Sequence, residues 1–385
     1  MKTNSKIMIL AALAGFLASS CGNENNTPDP SQEQGITFSF EEQNYESDQE
    51  LTRSVPRTET INLGDCEAEV SVENDPDTTV NKTRAITNKH YTIRAYQAGV
   101  KKAEIRGTFN GTNFIADADS PQDMQLNKGE AYEFIAFNDN FTPSGDNELI
   151  ITRDKVATAY MCRKNVYIDQ YKKQQINFEM KHVGSRLRTQ FVCQKHIPNN
   201  ITATLDTKLN NIIPTKETYN INTESYTINS LGSLVAVPNN SPASTEPKFT
   251  ASNGGQTFAY PSTSNYHYFL PSTEGSKLKL TFNAGTIFWK PMSGIIPKLN
   301  ATLIMQPNKS YVVKIKLKPK FTYLLRDGTT GFRSQTTYGG APAATAKIPV
   351  GVVIEPNKKV AVGLKHFYYK WQIIGDYKQY NTNLA

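Results

Sequence analysis

Cysteine and histidine are scarce in this chain, at four and five residues among 385, and there are only two tryptophans. No two histidines stand within five positions of one another, which argues against a compact histidine metal site or a metal-rich redox enzyme. Four cysteines are too few for a disulfide scaffold, so the fold must be held by hydrophobic cores. No apolar run approaches the ~20 residues that cross a bilayer, which excludes a multi-pass membrane protein. Helical spacing with caps is also missing; only Arg153–Arg163 hints at it, and a coiled coil or helical repeat is excluded. The motifs G-x-S-x-G, H-E-x-x-H, G-x-x-x-x-G-K and G-x-G-x-x-G are all absent. No cofactor, no metal and no enzymatic activity is expected.

Aromatic residues are abundant, with 19 Tyr and 18 Phe against 38% hydrophobic and 20% charged residues overall. That composition favours strands joined by turns. The net charge of +7 conceals a split. Residues 21–80 hold fifteen acidic residues and only two bases, Arg53 and Arg57, a net −13. Residues 81–385 hold twenty acids and thirty-eight bases, a net +18. A basic body of this kind fits an acidic glycan, or the acidic segment of the same chain lying across it. Nucleic acid is not an expected partner, because the bases are scattered and the chain carries an export signal.

That signal is at the amino terminus. Lys2 and Lys6 precede the apolar run Ile7–Leu17, and Ala18-Ser19-Ser20 lead to Cys21. The run is too short to anchor as a helix and reads as a signal peptide over residues 1–20. A cysteine directly after small residues resembles the lipobox of bacterial lipoproteins, which makes Cys21 the acylated residue and the outer membrane its anchorage. Leu17 sits one place further from Cys21 than in the commonest pattern, and an ordinary secretory signal is the alternative. Acylation leaves Cys66, Cys162 and Cys193, expected as buried thiols, with Cys162–Cys193 the alternative pairing.

After a polar tether over 21–35, alternation with period two marks strands at Ile36–Phe40, Ala68–Val72, Tyr91–Tyr96 and Tyr132–Phe137. Asn110-Gly111 between two further runs is a hairpin signal. Ile176–Met180 alternates again, and short strands recur through Val360–Leu364. Many short strands with little helix predict an all-β protein of two β-sandwich domains in tandem, 36–175 and 176–385.

Several residues could carry chemistry. Asp117, Asp119 and Asp123 have the character of a Ca²⁺ site, although a solvated acidic turn fits them better. His182 shares an alternating strand with Phe178 and Met180 and reads as a packed core histidine. Lys314, Lys316, Lys318 and Lys320 read as the solvent face of an edge strand ended by Pro319. Tyr368, Tyr369, Trp371, Tyr377 and Tyr380 crowd the carboxyl terminus, where core packing and ligand stacking are equally open. Lys82-Thr83-Arg84-Ala85 falls where the acidic segment meets the basic body, and an exposed Arg84 there suits an extracellular Arg-specific protease. Arg53 and Arg57, flanking Val55-Pro56, are rival sites.

The order of these pieces resembles the fimbrillin-family lipoproteins of the Bacteroidales, the subunits of type V pili. The resemblance rests on the signal ending at Cys21, on Thr83-Arg84-Ala85, and on Tyr91–Tyr96 soon after. Gly129–Phe137 and Ile176–His182 complete it. It implies two transthyretin-like sandwiches, cleavage after Arg84, and removal of residues 36–84 as a pro-segment. Loss of its first strand opens a groove that a donor strand from another subunit fills by β-strand addition. The donor is then expected within Val360–Ala385, where Phe367, Tyr369 and Trp371 share one alternating face. Other pilus subunits, the outer membrane through the lipid on Cys21, and a host glycan or protein are the implied partners. The cell surface and the fimbria are the implied locations. The alternative is a lipid-anchored surface protein that binds glycan or host ligand without polymerising, for which Trp371 and Trp289 are the stacking candidates.

Overall fold

The computed structural model of the chain describes residues 35–49, 51, 58–63, 66–79, 88–169, 172–193, 196–244, 260–287, 290–320, 322–332, 335–337, 341–355 and 359–364. In chain order its strands begin with β1 (Ile36–Glu42), β2 (Glu59–Asn62), β3 (Cys66–Asn74), β4 (Lys89–Gln97), β5 (Val100–Phe109) and β6 (Phe114–Ala116). There follow β7 (Ala131–Asn138), β8 (Thr142–Pro143), β9 (Glu148–Thr152), β10 (Tyr160–Tyr167), β11 (Gln174–His182), β12 (Ser185–Cys193) and β13 (Thr202–Thr207). Next come β14 (Ile213–Asn220), β15 (Ser225–Gly232), β16 (Val237–Pro238), β17 (Tyr260–Thr263), β18 (His267–Phe269), β19 (Leu278–Ala284) and β20 (Thr286–Ile287). The last are β21 (Lys290–Pro291), β22 (Gly294–Ile296), β23 (Ser310–Pro319), β24 (Thr322–Leu325), β25 (Thr330–Phe332), β26 (Pro349–Glu355) and β27 (Val360–Gly363).

The protein is all-β, as its composition implies. The helix suggested at Arg153–Arg163 is a single 3-10 turn, Val156–Thr158, running into β10. Tyr160 and Cys162 are buried and Met161 and Arg163 are not, so period two prevails over helical spacing there. The Asn110-Gly111 hairpin forms as expected between β5 and β6. Asn110 Oδ1 accepts from the amides of Thr112 and Asn113 at 2.9 and 2.8 Å, and Gly111 takes φ 103°.

A seven-stranded sheet runs β1-β11-β10-β7-β4-β5-β6. Its central strands bury both faces. On one side Tyr91, Ile93 and Phe134 share a core with Phe38, Phe40 and Phe178 of the β1–β11 pair. On the other side Tyr96, Ile135 and Phe137 pack against Leu149, Ile151 and Tyr219 of a second sheet, ordered β15-β14-β9-β8.

The remaining large core is the second layered unit. One sheet is ordered β17-β12-β23-β3-β2, and the other β16-β13-β19-β22. Between them lie Val70, Phe191, Leu205, Leu280, Tyr311 and Ile315. A four-stranded sheet, β25-β24-β26-β27, closes the described chain.

Strand pairing crosses residue 175 repeatedly. β1 pairs with β11, β9 pairs with β14, and β3 pairs with β23. The amino-terminal segment therefore supplies strands to both layered units.

One sequence expectation needs correction here. β23, which carries Lys314, Lys316 and Lys318, is not an edge strand; it lies between β12 and β3 in the middle of its sheet. The lysine face is tolerated because β3 sets acidic residues beside it. Lys314 Nζ reaches Glu73 at 2.8 Å, and Lys318 pairs with Glu69. The lysines stay partly exposed, and opposite charges on the neighbouring strand complement the polar face.

Candidate functional site

The residues that organise the molecule around a single feature belong to Ile36–Thr79, the segment that gives β1 to the first layered unit and β2 and β3 to the second. β1 lies parallel to β11 in full register, from Ile36 opposite Gln174 to Glu42 opposite Met180. Alternation turns Phe38 and Phe40 inward, where each is buried. Phe40 stacks on Tyr91 with ring centres 4.2 Å apart and touches Phe109 and Phe178 at 5.4 and 5.3 Å. Phe38 meets Phe114 edge-on at 5.6 Å. These contacts place an edge strand's side chains at the centre of a core.

Beyond β1 the chain crosses to the second unit on a line of specific contacts. The Gln43 amide donates to the Met180 carbonyl at 2.8 Å, continuing the β1–β11 ladder. Tyr45 stacks on His182 at 3.8 Å, with the Arg186 guanidinium 4.7 Å above its ring. Burial pushes the Tyr45 hydroxyl well above its ordinary pKa. The Glu46 amide donates to the Asn308 carbonyl at 2.8 Å, and the Ser310 amide donates to the Glu46 carbonyl at 3.1 Å. Burial raises the Glu46 carboxyl, but Lys181 at 2.9 Å and Lys309 at 3.1 Å outweigh it and hold the group below its usual range. The Tyr311 hydroxyl donates to Asp48 Oδ2 at 2.9 Å.

The segment ends on the most deeply buried charge pair. Asp75 has no exposed surface, and its carboxylate accepts from Arg188 at 2.5 Å, Tyr266 at 2.6 Å and Ser310 at 2.9 Å. Arg188 also reaches Asp77 at 3.0 Å. The Tyr266 ring lies under both Arg186 and Arg188, at 4.0 and 4.7 Å.

The charge split in the sequence thus has a structural counterpart. Glu42, Glu46, Glu59, Glu69, Glu73, Asp75 and Asp77 pair with Lys89, Lys181, Lys309, Lys298, Lys318, Lys314 and Arg188 of the body. Most of these pairs are partly exposed and individually weak. Asp75–Arg188 is the buried exception. Neither alternation nor any motif singles out Asn74–Asp77 in the sequence. The signal for its role lay in the acidic segment and basic body taken together.

Other candidates resolve differently. Asp117 Oδ2 lies 2.9 Å from His90 Nε2 and Asp119 lies 2.9 Å from Arg106. Asp123 Oδ1 accepts from the Met124 amide. These carboxylates serve the local turn, and no metal-holding cluster occurs among the described residues. His182 is half-buried and packs between the rings of Tyr45 and Tyr160. Cys162 and Cys193 are buried free thiols, and Cys66 is buried as well. Cys21, Arg53, Arg57, Arg84, Trp289, Phe367, Tyr369 and Trp371 lie outside the described residues. Among the described residues no helix is long and apolar enough to cross a membrane.

Next to the crossing lies a cleft of about 530 Å³. It opens because β10 and β11 pair only at Tyr160–His182 and Met161–Lys181 and then diverge. Lys164 bridges the gap by donating to the Asn177 carbonyl at 2.8 Å. Arg163, Glu179, Tyr219 and Tyr226 line the cleft with Asn177. Arg163 is fixed by Glu133 at 2.6 Å and by the Ile221 carbonyl at 2.6 Å.

The chain matches no known protein-family profile and no curated protein sequence. It is similar to a solved structure of a proposed cell adhesion protein from Bacteroides ovatus, at 8% identity and a TM-score of 0.41. That match covers 74% of this chain and 97% of the other. A fimbrial protein from Bacteroides vulgatus matches at 12% identity and a TM-score of 0.37, covering 60% of this chain and 91% of its own. Proposed polysaccharide-binding proteins from Bacteroides thetaiotaomicron match at 9% identity and a TM-score of 0.31, covering 65% and 76%.

Proposed function

We propose that this chain is a structural and adhesive subunit of a bacterial surface fimbria, without enzymatic activity. It is exported as a lipoprotein through Cys21, cut after Arg84, and assembled by β-strand addition. The observation that carries this reading is β1: an edge strand that nonetheless supplies Phe38 and Phe40 to the centre of a core. A cut after Arg84 severs residues 36–84 from the body covalently. Departure of the segment exposes the ladder groups of β11 and the pockets around Tyr91, Phe109 and Phe178. It also strips β3 from β23, baring Val313 and Ile315. Unpaired ladder groups and apolar pockets are costly, and a donor strand satisfies both. The donor in this proposal comes from Val360–Ala385, with Phe367, Tyr369 and Trp371 as the inserted face. The joint then dissociates only by partial unfolding and persists kinetically. The reading agrees with the fimbrial and adhesion proteins among the structural neighbours.

The test is the amino-terminal mass of the protein recovered from the cell surface, with SDS-resistant ladders scored in parallel. A chain beginning at Ala85, and ladders abolished by Arg84→Ala, are expected. Ladders that persist in Arg84→Ala overturn processing at this site.

The cleft beside β10 favours a second reading, a lipid-anchored protein that binds glycan without polymerising. Its bases and acids are balanced, and tyrosine rings lie beside amide and carboxylate groups, which suits a neutral polyhydroxylated ligand. Glycan-array binding that is lost in Asn177→Ala supports it; an array without hits sinks it.

A further inference from the structure

The amino-terminal segment occupies two seats, and their chemistry differs. β1 fills the first with the rings of Phe38 and Phe40. β3 fills the second with small side chains, Ala68, Val70 and Val72, in the core that holds Leu205 and Leu280. Glu67, Glu69 and Glu73 alternate with them and stay half-buried on the other face. β23 runs antiparallel beside β3, from Tyr311 opposite Asn74 to Pro319 opposite Cys66.

The groups that receive these acids belong to the body. Lys314 and Lys318 of β23 pair with Glu73 and Glu69, and Lys298 pairs with Glu59 of β2 at 3.1 Å. Past the end of β3, Arg188, Tyr266 and Ser310 form the socket of Asp75. Arg186 braces that socket from within the body. It donates to Ser310 Oγ at 2.8 Å and lies 4.0 Å over the Tyr266 ring.

The carboxyl-terminal donor proposed above does not match this second seat. Residues 360–385 carry Lys365, Lys370 and Lys378 against Asp376 alone. Paired on β23, they set like charges beside Lys314 and Lys318. Phe367, Tyr369 and Trp371 are also far larger than the alanine and valines of β3, and overpacking of that kind displaces a core's neighbours.

We infer that the edge of β23 is a second strand-receiving site, selective for an acid-faced strand from a partner subunit. That strand carries small apolar side chains at alternate positions, glutamate or aspartate between them, and a further carboxylate for the Arg188 socket. The inference rests on the strand-addition reading and extends it: the processed subunit takes two donors, one aromatic and one acidic.

The test rebuilds the whole exported chain from two pieces, residues 22–84 and 85–385, co-purified as one complex. Unlabelled competitors displace a fluorescent 22–84 piece from it. A competitor carrying Glu69→Lys with Glu73→Lys is expected to be weaker than the parent piece by about tenfold or more. It regains its strength against a body carrying Lys314→Glu with Lys318→Glu. A competitor in which the sequence of residues 366–377 replaces residues 66–77 is expected to do no better than a piece ending at Asn62. Charge reversal without effect, failure of the rescue, or a replaced piece as strong as the parent overturns the inference. So do pieces that never associate. Processing at Arg84 does not enter this measurement, so the amino-terminal mass of the surface protein judges the strand-addition reading separately.

Discussion

The carboxylate of Asp75, without exposed surface, lies 2.5 Å from the guanidinium of Arg188. Asp75 follows directly on β3, and Arg188 sits in the middle of β12, with β23 between the two strands. The pair therefore pins the end of the amino-terminal segment across the sheet. Removing one partner leaves a buried charge uncompensated, which costs about 3–5 kcal/mol. Asp75→Ala is expected to lower stability by that order in urea unfolding, whereas Asp77→Ala, at an exposed carboxylate, costs about 1 kcal/mol or less. Replacing both partners, as Asp75→Leu with Arg188→Met, recovers most of the loss.

Phe40 tests whether β1 is a core element or a loosely held cover. Its ring stacks on Tyr91 and contacts Phe109, Phe114 and Phe178. Phe40→Ala is expected to destabilise the unprocessed chain by about 3–5 kcal/mol, as truncation of a buried aromatic does. Glu41→Ala, exposed on the same strand, stays within about 0.5 kcal/mol. Equal and small effects in chemical denaturation would mean that β1 contributes nothing to the folded precursor.

Glu217 on β14 predicts a pH dependence. It is fully buried opposite Ile151 and Ile228, and neither carboxylate oxygen has a hydrogen-bond partner among the described residues. Burial pushes its carboxyl from 4.5 up to about 8. Below pH 4.5 both folded and unfolded chains hold the proton, and the group imposes no penalty. As pH rises from 4.5 to 8 only the unfolded chain ionises, so this group's contribution to stability falls across that window and then levels. Glu217→Gln removes the slope. The variant is expected to gain on the order of 4 kcal/mol over the parent at pH 8 and almost nothing at pH 4.5, read from unfolding midpoints.

How much of this was legible in the sequence depends on range. β1, β4, β7 and β11 follow from alternation, and the Asn110 turn from its own side chain, because each signal is local. The lysine strand β23 was read as an edge because its neighbour β3 lies some 240 residues earlier in the chain, as the Lys314–Glu73 pair records. Local alternation shows which face is polar but not what lies opposite it. The seat of the amino-terminal segment was foreshadowed only as a charge imbalance. Its particular anchors, Tyr45, Asp48 and Asp75, come from contacts that no spacing rule reaches.

The three described cysteines report whether that segment is seated. Cys66 belongs to the segment itself, and Cys193 shares the same core. Cys162 lies in the core that β1 completes, where burial pushes its thiol up to about 11. Burial likewise raises the Cys193 thiol, and proximity to Cys66 adds to it. A thiol that stays protonated and covered reacts slowly. In the unacylated full-length chain at pH 8, iodoacetamide is expected to modify none of the three until the chain unfolds. Cleaving at Arg84 and stripping residues 36–84 in mild denaturant removes Cys66 and uncovers the cores above Cys162 and Cys193. Both should then alkylate, and peptide mass mapping reads the change. Adding a peptide spanning Ile36–Asn74 restores protection if the segment and its groove are complementary. Cysteines that label equally before and after stripping would show that the segment does not cover these cores.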